Sequence, residues 1–260
     1  MDSAIITGTG IYEIPGFEFD EQTVETEYGK AKVNLGKLGD FELVFLARHG
    51  LDHSTPPHKI NYRANLKALH DLGVKRILAT NAVGSISRDI PPTGLALLTD
   101  FLDFTSGRAL SFFEGGRSGL AHTSMDVPYC PALREKVLEL APQHGLEVFP
   151  EAVYVATNGP RFESPAEIRM YAQMGADVVG MTGLPELVLA RELGMHYASV
   201  AYSINWAAGL EEEMTFVSGE MTEIRKLLAE LLVNTLKVID SFSCGCDKAV
   251  MMMKEPGEEP

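Results

Sequence analysis

Val200-Ala201-Tyr202-Ser203-Ile204-Asn205-Trp206-Ala207-Ala208-Gly209 begins as an apolar run and breaks at a polar residue in front of small residues. The apolar half predicts a buried strand, and Asn205 stands at its mouth. A neutral amide both donates and accepts hydrogen bonds. That pair suits a purine leaving group with a 6-oxo group, because the amide N–H donates to O6 and the amide oxygen accepts from a proton on N7. The stretch predicts a site only if other strand ends provide for a phosphate and a sugar.

The rest of the chain alternates strands with helices at the spacing of βα units. The pattern predicts one α/β domain over residues 1–248, with a mixed, mostly parallel central sheet flanked by helices, and a disordered tail over residues 249–260. Predicted strands cover 4–6, 41–47, 74–79, 95–104, 147–156, 176–183 and 196–205, and predicted helices cover 61–72, 131–144, 165–174, 185–193 and 220–239.

Composition narrows the class of protein. The chain has 260 residues, of which 45% are hydrophobic and 22% charged, with a formal net charge of −14. Nucleic-acid binding is not expected, because phosphate backbones need a basic face. No apolar run reaches the length of a membrane span, and no basic signal region opens the chain, so a cytoplasmic protein is expected.

Three cysteines are too few for a disulfide scaffold and indicate a reducing compartment. Cys244-Gly245-Cys246 is either a strained redox ring or, as we favour, a tail feature without chemistry. No metal site is expected, because the chain has no HExxH motif and no paired Cys/His spacing.

Three predicted strands end in residues that suit a ligand. Thr7-Gly8-Thr9-Gly10 can present backbone N–H groups to an anion, although a plain tight turn is the alternative. Arg48-His49-Gly50 follows a buried strand, where an arginine needs an oxyanion or an ordinary salt bridge. Asn81-Ala82-Val83-Gly84 allows a ligand to approach the backbone closely. Ligands bind at such strand ends in open α/β sheets.

Two further segments are singled out by pattern. Ser164-Pro165-Ala166-Glu167 is a capping box with proline at the first helical position, so Phe162 and Glu163 sit on a rigid corner just before a helix. Residues 105–128 have little periodicity, and a loop of that length is usually functional or an oligomer contact.

Taken in order, these motifs resemble the trimeric purine nucleoside phosphorylase family, and most closely the branch that cleaves methylthioadenosine or methylthioinosine. The resemblance rests on the motifs at 7–10, 48–50, 61–65, 81–84, 159–167 and 175–182. It implies a nucleoside phosphorylase fold, a homotrimer or a dimer of such trimers, and no metal or organic cofactor beyond the co-substrate phosphate.

The resemblance also implies roles for individual residues. Phosphate is expected on Thr9, Arg48, His49, Asn81 and Ala82, and catalysis on Asn205, Arg48 and His49. Base and sugar are expected on His53, Gly84, Phe162, Glu163, Met181, Thr182 and Asn205, with His122 reaching in from a neighbouring subunit.

Departures within the family indicate the substrate. The methylthioadenosine enzymes carry aspartates where this chain has Asn205 and Ala207, and a serine where it has Glu163. A carboxylate accepts from N1–H, which hypoxanthine has and adenine lacks, so both positions favour a 6-oxopurine. Where the family has a phosphate-contacting threonine, this chain has Ile204.

The 5′ end of the nucleoside is less constrained by the sequence. The segment 210–218 holds no histidine, but it holds Met214, Phe216 and Val217, which suit a methylthio group or simply pack the last helix. The preferred substrate is therefore S-methyl-5′-thioinosine, with inosine or guanosine, then methylthioadenosine, as alternatives. Hydrolysis, as in a related nucleosidase, and non-catalytic purine binding are the remaining alternatives for the function.

Overall fold

The computed structural model of the chain describes residues 1–217, 219, 221–239 and 244–253. Within them lie a nine-stranded sheet and a two-stranded ribbon. The strands are β1 (Ser3–Thr7), β2 (Phe19–Thr26), β3 (Gly29–Leu38), β4 (Phe41–Ala47), β5 (Arg76–Ser85), β6 (Leu95–Asp103), β7 (Ala121–Thr123), β8 (Val148–Ala156), β9 (Val178–Gly180), β10 (His196–Trp206) and β11 (Val250–Met252). The α-helices are α1 (Tyr62–Asp71), α2 (Pro131–Leu140), α3 (Pro165–Gln173), α4 (Gly183–Glu192) and α5 (Met221–Val238). None of these helices combines the length and the apolarity that a bilayer crossing requires.

The main sheet closes on itself along part of its length. Its strand order is β10-β6-β8-β9-β5-β1-β4-β3-β2, and β10 also pairs with β5. Five strands therefore form a ring, and the other four extend from it as an open sheet. Pairings of both directions occur: β1 is parallel to β4 and β5, whereas β9 is antiparallel to β5. The predicted mixed sheet in one α/β domain is confirmed.

One edge of β5 is shared by two strands with a gap between them. β1 pairs with residues 76–79 of β5, and β9 pairs only with Gly84 and Ser85. Because β9 runs antiparallel to β5, its exit turns back toward the middle of that strand. The loop after β1 and the loop after β9 therefore meet beside Ala82, and this gap positions the candidate site.

Helices cover both faces of the sheet and bury two apolar clusters. On one face α1 and α4 pack together and contribute Leu66, Leu69 and Leu187. On the other face α2 and α5 pack together and contribute Leu133 and Leu232. Truncating a fully buried leucine of this kind costs about 2–5 kcal/mol, so the strand exits rest on a rigid base.

Several boundaries follow the local signals in the sequence. Ser164 accepts a hydrogen bond from the backbone N–H of Glu167, and the Glu167 side chain accepts from the N–H of Ser164, which completes the predicted capping box. Gly145 adopts φ 68° and ends the segment after α2, where glycine is favoured. The predicted helix over 131–144 ends earlier, because its last four residues form a 3-10 turn that contains Pro142.

Other boundaries differ from the sequence expectation. The hairpin of β2 and β3 was not predicted, and the 81–84 segment is the continuation of β5 rather than a loop. Residues 249–253, expected to be disordered, instead contain β11, which pairs with β7. Glu220, the predicted start of the last helix, and residues 254–260 of the predicted tail lie outside the described residues.

Candidate active site

A cavity of about 360 Å³ lies at the gap along β5. Its walls come from the exits of β1, β4, β9 and β10, from the middle of β5 and from the corner before α3. Most residues that the sequence predicts for the site line this one cavity: Thr9, His49, His53, Ala82, Gly84, Phe162, Glu163, Met181, Thr182, Asn205, Met214 and Phe216. The remaining four, Arg48, Asn81, Val217 and His122, do not line it.

A register shift aims Asn205 at the cavity. The parallel pairing of β10 with β5 slips between Ser203 and Asn205, so Ile204 is an extra residue and Asn205 sits beside Gly84. Bulges of this kind re-aim side chains next to active sites. Asn205 Nδ2 donates to the Trp206 carbonyl at 2.7 Å, which leaves its second N–H and its oxygen for a ligand.

Glu163 is held on the rigid corner before α3. It is 9% exposed, and its Oε1 accepts a hydrogen bond of 2.6 Å from Thr157 Oγ1. Thr157 is in turn placed by the sheet, because its backbone N–H donates to the Gly180 carbonyl. The second carboxylate oxygen has no described protein donor, so Glu163 keeps acceptor capacity on the cavity side.

The outer wall of the cavity is apolar. The rings of Phe162 and Phe216 meet with centroids 5.7 Å apart, and the two side chains are 51% and 49% exposed. Met214, 37% exposed, lines the same wall. Val217, which was also predicted for this wall, does not line it. It packs against the apolar cluster of α2 and α5, and its N–H donates to the Ile204 carbonyl.

The inner end of the cavity carries His49 and the loop after β1. Nδ1 of His49 donates to the Thr55 carbonyl at 2.8 Å, which leaves Nε2 for the cavity. Burial lowers the pKa of His49 to about 4, and the neighbouring charge of Arg48 acts in the same direction. His49 is therefore neutral at pH 7, and its Nε2 is a hydrogen-bond acceptor.

Arg48 lies beneath that loop in a buried ion pair. Its Nε and Nη2 donate to the two oxygens of Glu186 at 3.0 and 2.7 Å, and its Nη1 donates to the Thr80 carbonyl. Although burial alone lowers the pKa of Arg48, the charge and hydrogen bonds of Glu186 raise it. A β-carbon at Gly8 would lie 2.9 Å from Nη1, so glycine allows the loop to cross directly over the guanidinium.

Of the two sequence readings of Arg48, the salt bridge is the one found. Glu186, which we did not predict, is fully buried and also accepts from the Tyr197 hydroxyl at 2.8 Å. A glutamate on the apolar face of a helix is the signal that would have identified it, because such a residue is almost never buried unpaired.

Asn81 acts one layer behind the cavity wall. Its Nδ2 donates to Thr182 Oγ1 at 2.9 Å, and its Oδ1 accepts from Ser199 Oγ at 2.7 Å. The Thr182 backbone N–H is itself bonded to the Tyr154 hydroxyl. This relay fixes the rotamer of Thr182 and leaves its hydroxyl proton available to a ligand in the cavity.

Arg108 is a second residue that sequence reasoning missed. Its guanidinium donates to the carbonyls of Asn158 at 3.0 Å and Met181 at 2.8 Å, and also to that of Leu184. It therefore ties the loop after β8 to the loop after β9. The sequence offered only an arginine in an aperiodic Gly/Ser-rich loop, which is a weak signal.

The two remaining histidines differ in position. His53 lines the cavity, its ring centroid lies 4.9 Å from that of His49 at an interplanar angle of 47°, and its Nδ1 lies 3.0 Å from the Tyr12 hydroxyl. His122 is exposed on β7 and does not line this chain's own cavity. Its predicted contact with a neighbouring subunit stays a prediction.

The α/β ring and the cavity at its strand ends define a nucleoside phosphorylase. The chain belongs to the phosphorylase superfamily, whose sequence profile matches residues 2–237.

Similarity to known proteins extends over nearly the whole chain. It is 44% identical over 257 residues to the 6-oxopurine nucleoside phosphorylase of Pyrococcus furiosus, covering 95% of this chain and 97% of that protein. It is 45% identical over 251 residues to a probable S-methyl-5'-thioinosine phosphorylase of Methanopyrus kandleri, with 95% and 96% covered. The solved methylthioadenosine phosphorylase of Schistosoma mansoni with tubercidin superposes with a TM-score of 0.81 at 31% identity, covering 92% of each chain.

Proposed function

We propose that the chain phosphorolyses 6-oxopurine nucleosides, and that its preferred reaction converts S-methyl-5′-thioinosine and phosphate to hypoxanthine and 5-methylthioribose 1-phosphate. The observation that carries the proposal is that Asn205 and Glu163 line the same cavity. One is a neutral amide with a free N–H and a free oxygen, and the other is a carboxylate with acceptor capacity.

These two groups complement a 6-oxopurine. The Asn205 N–H donates to O6, the Asn205 oxygen accepts from a proton on N7, and Glu163 accepts from N1–H. Adenine would present its 6-amino group to the amide N–H and an unprotonated N1 to the carboxylate. Leaving such buried groups unpaired costs about 1–3 kcal/mol each, so the site discriminates against adenine nucleosides.

The apolar wall favours a methylthio group at the 5′ position. Met214, Phe162 and Phe216 offer a thioether and two rings, and sulfur makes favourable contacts with aromatic edges. A 5′-hydroxyl would find only the weak thioether acceptor of Met214 among these three side chains. The preference for the methylthio nucleoside over inosine and guanosine rests on this wall.

The reaction follows from the two ends of the cavity. A phosphate oxygen forms a bond to C1′ of the ribose while the bond from C1′ to purine N9 breaks, and its electron pair passes to the base. The proton of the hydrogen phosphate ends on the base at N7, by way of solvent, so that the products are the sugar 1-phosphate dianion and neutral hypoxanthine. The sugar gains positive charge in the transition state and is stabilised by the adjacent phosphate dianion. Asn205 stabilises the negative charge that develops on the base, as a preorganised donor does in an oxyanion hole.

The phosphate is held by hydrogen bonds over a buried cation. We assign it to the loop of Gly8 and Thr9, the backbone at Ala82, the Thr182 hydroxyl and Nε2 of His49, which accepts from a protonated phosphate oxygen. Arg48 contributes from below, where its charge is shared with Glu186. No lysine or arginine lines the cavity among the described residues, so hydrogen-bond donors carry most of the recognition.

The proposal also covers the oligomeric state of the enzyme and its place in the cell. We propose a cytoplasmic homotrimer, or a dimer of such trimers, that acts in purine salvage without a catalytic metal or organic cofactor. His122 would complete the cavity of the neighbouring subunit. Co-expressed Asn205→Ala and His122→Ala chains should then recover activity that neither variant has alone, because mixed trimers contain intact sites.

The decisive experiment is a substrate panel with phosphate present and absent. Methylthioinosine, inosine, guanosine and methylthioadenosine are incubated with the enzyme, and free hypoxanthine, guanine and adenine are measured. We expect phosphate-dependent release of hypoxanthine, fastest from methylthioinosine. Glu163→Ala should lower kcat/KM for the 6-oxopurines, whereas Glu213→Ala, an exposed glutamate of the 210–217 segment, should not.

Each contrary outcome excludes a part of the proposal. Base release that does not depend on phosphate identifies a hydrolase. Faster release of adenine than hypoxanthine refutes the roles of Asn205 and Glu163. Ligand binding without release of any base identifies a purine-binding protein.

A further inference from the structure

We propose that Cys130, His196, Cys244 and Cys246 form a structural zinc site that anchors the C-terminal segment. The spacing of these residues in the sequence gives no metal motif, because they come from three distant parts of the chain. Cys130 precedes α2, His196 opens β10, and the two other cysteines follow α5. The fold nevertheless brings their ligand atoms within 4.8 Å of one another.

Four of the six distances between the donors lie close to those of a tetrahedron around one ion, and the other two are within 4.8 Å. With Zn–S of about 2.3 Å and Zn–N of about 2.05 Å, tetrahedral geometry requires S···S of about 3.8 Å and S···N of about 3.6 Å. Cys130 Sγ lies 3.7 Å from Cys244 Sγ, and Cys244 Sγ lies 3.5 Å from Cys246 Sγ. Nδ1 of His196 lies 3.6 Å from Cys130 Sγ and 3.2 Å from Cys244 Sγ.

The convergence of four donors favours a metal over a disulfide. All three cysteines are free thiols, and their separations are well beyond the roughly 2.05 Å of an S–S bond. A disulfide would use only two of the three sulfurs, whereas all four donor atoms converge on one point. A closed set of three thiolates and one imidazole is a common structural zinc site.

The surroundings suit the charge of such a site. Three thiolates and Zn²⁺ carry a net charge of −1, and the small cavity that Cys246 lines is also lined by two cations, Arg191 and Lys248, and one carboxylate, Asp126. Arg191 is 4% exposed, and its Nη2 donates to the Ser124 carbonyl at 3.4 Å. The buried cation therefore links the cysteine cluster to the residue that follows β7.

The site holds the end of the chain rather than the substrate. His196 and Asn205 stand at opposite ends of β10, about 30 Å apart at the rise of a strand. The segment after Cys246 continues into β11, whose Met251 pairs with His122 of β7. Zinc binding would therefore order β11 and the strand on which His122 is carried.

The test uses the full chain, stripped of metal with a chelator under reducing conditions and titrated with Co²⁺ and then Zn²⁺. We expect one Co²⁺ per chain, with thiolate-to-cobalt charge-transfer bands and the strong visible bands of a tetrahedral ion, both lost when Zn²⁺ displaces it. Cys246→Ser and His196→Ala should each weaken binding by ~100-fold or more, since even outer-shell changes cost 10–100-fold. His70→Ala, an exposed histidine on α1, should bind like the native chain.

A second readout covers variants that do not fold. Zn²⁺ added to the reduced, metal-stripped chain should slow amide hydrogen exchange in β7 and β11 and leave α1 unchanged. The proposal is overturned if the reduced chain binds no metal, if Cys246→Ser binds as tightly as the native chain, or if Zn²⁺ leaves exchange in β11 unchanged. A disulfide among these cysteines that persists in reductant would also overturn it.

Discussion

Replacing Asn205 with alanine tests the core of the proposed mechanism. Asn205 is 4% exposed, so the groups that it offers to a purine act in a site from which water is largely excluded. Its Nδ2 already donates to the Trp206 carbonyl, which pre-orients the amide before any ligand arrives. The substitution removes one oriented donor and one acceptor, and the bulge that positions residue 205 is formed by the backbone and should persist.

The expected magnitude follows from that geometry. Removing one preorganised donor from a transition-state site raises the barrier by about 2.7–4 kcal/mol, which corresponds to about 10²–10³ in kcat. Because the charge on the base develops mainly in the transition state, we expect kcat to fall by about that factor. KM for the nucleoside should change far less.

The assay compares Asn205→Ala with Asn205→Asp and the native chain on methylthioinosine and methylthioadenosine. Asn205→Asp should improve methylthioadenosine cleavage, because a protonated carboxyl can donate to N7 and accept from a 6-amino group. Ala207 limits that gain, since the adenine-cleaving relatives carry an aspartate there. Unchanged kcat of Asn205→Ala on methylthioinosine would refute the role of Asn205.

Three further predictions concern the inner end of the cavity. His49→Asn should reduce the acid sensitivity of folding. The pKa of His49 is about 4 in the folded chain and 6.5 in the unfolded chain, so the native chain loses stability as the pH falls from 6.5 toward 4. Urea unfolding of both chains at pH 7 and pH 5 measures the difference. Glu186→Leu should lower the free energy of unfolding by about 3–5 kcal/mol, because it leaves the Arg48 charge buried without a partner, and urea titration measures it. Asn81→Ala should raise KM for phosphate more than KM for the nucleoside, because Thr182 loses its hydrogen-bonded relay, and equal changes in the two constants would contradict this.

Local signals in the sequence predicted much of the fold. The capping box at Ser164 and the apolar runs of β4, β8 and β10 depend on neighbours in the chain, so pattern alone located them. The hairpin of β2 and β3 was not predicted, because β2 is mostly exposed and rich in Glu and Thr and so lacks an apolar run. Its alternation across the Tyr28-Gly29 turn was the available signal.

The sequence predicted most of the residues discussed above that line the cavity, but not the residues that hold them in place. Residue types at strand exits indicate which side chains reach a ligand, and these groups did gather around one cavity. What holds them comes from distant parts of the chain: Glu186 pairs with Arg48 across 138 positions, and Ser199 orients Asn81 across 118. Such pairings depend on tertiary packing, which no window of sequence contains.

The interrupted edge of β5 has a consequence for the free enzyme. Between Ala79 and Gly84 one side of this strand has no neighbouring strand in the described part of the chain, and in the proposed complex the substrate would lie along this unpaired stretch. Main-chain groups there, such as the Thr80 carbonyl, are bonded to a side chain instead of a ladder. Phosphate and hypoxanthine together should therefore raise the melting temperature, because they would bind the folded chain and bridge the loops that follow β1 and β9.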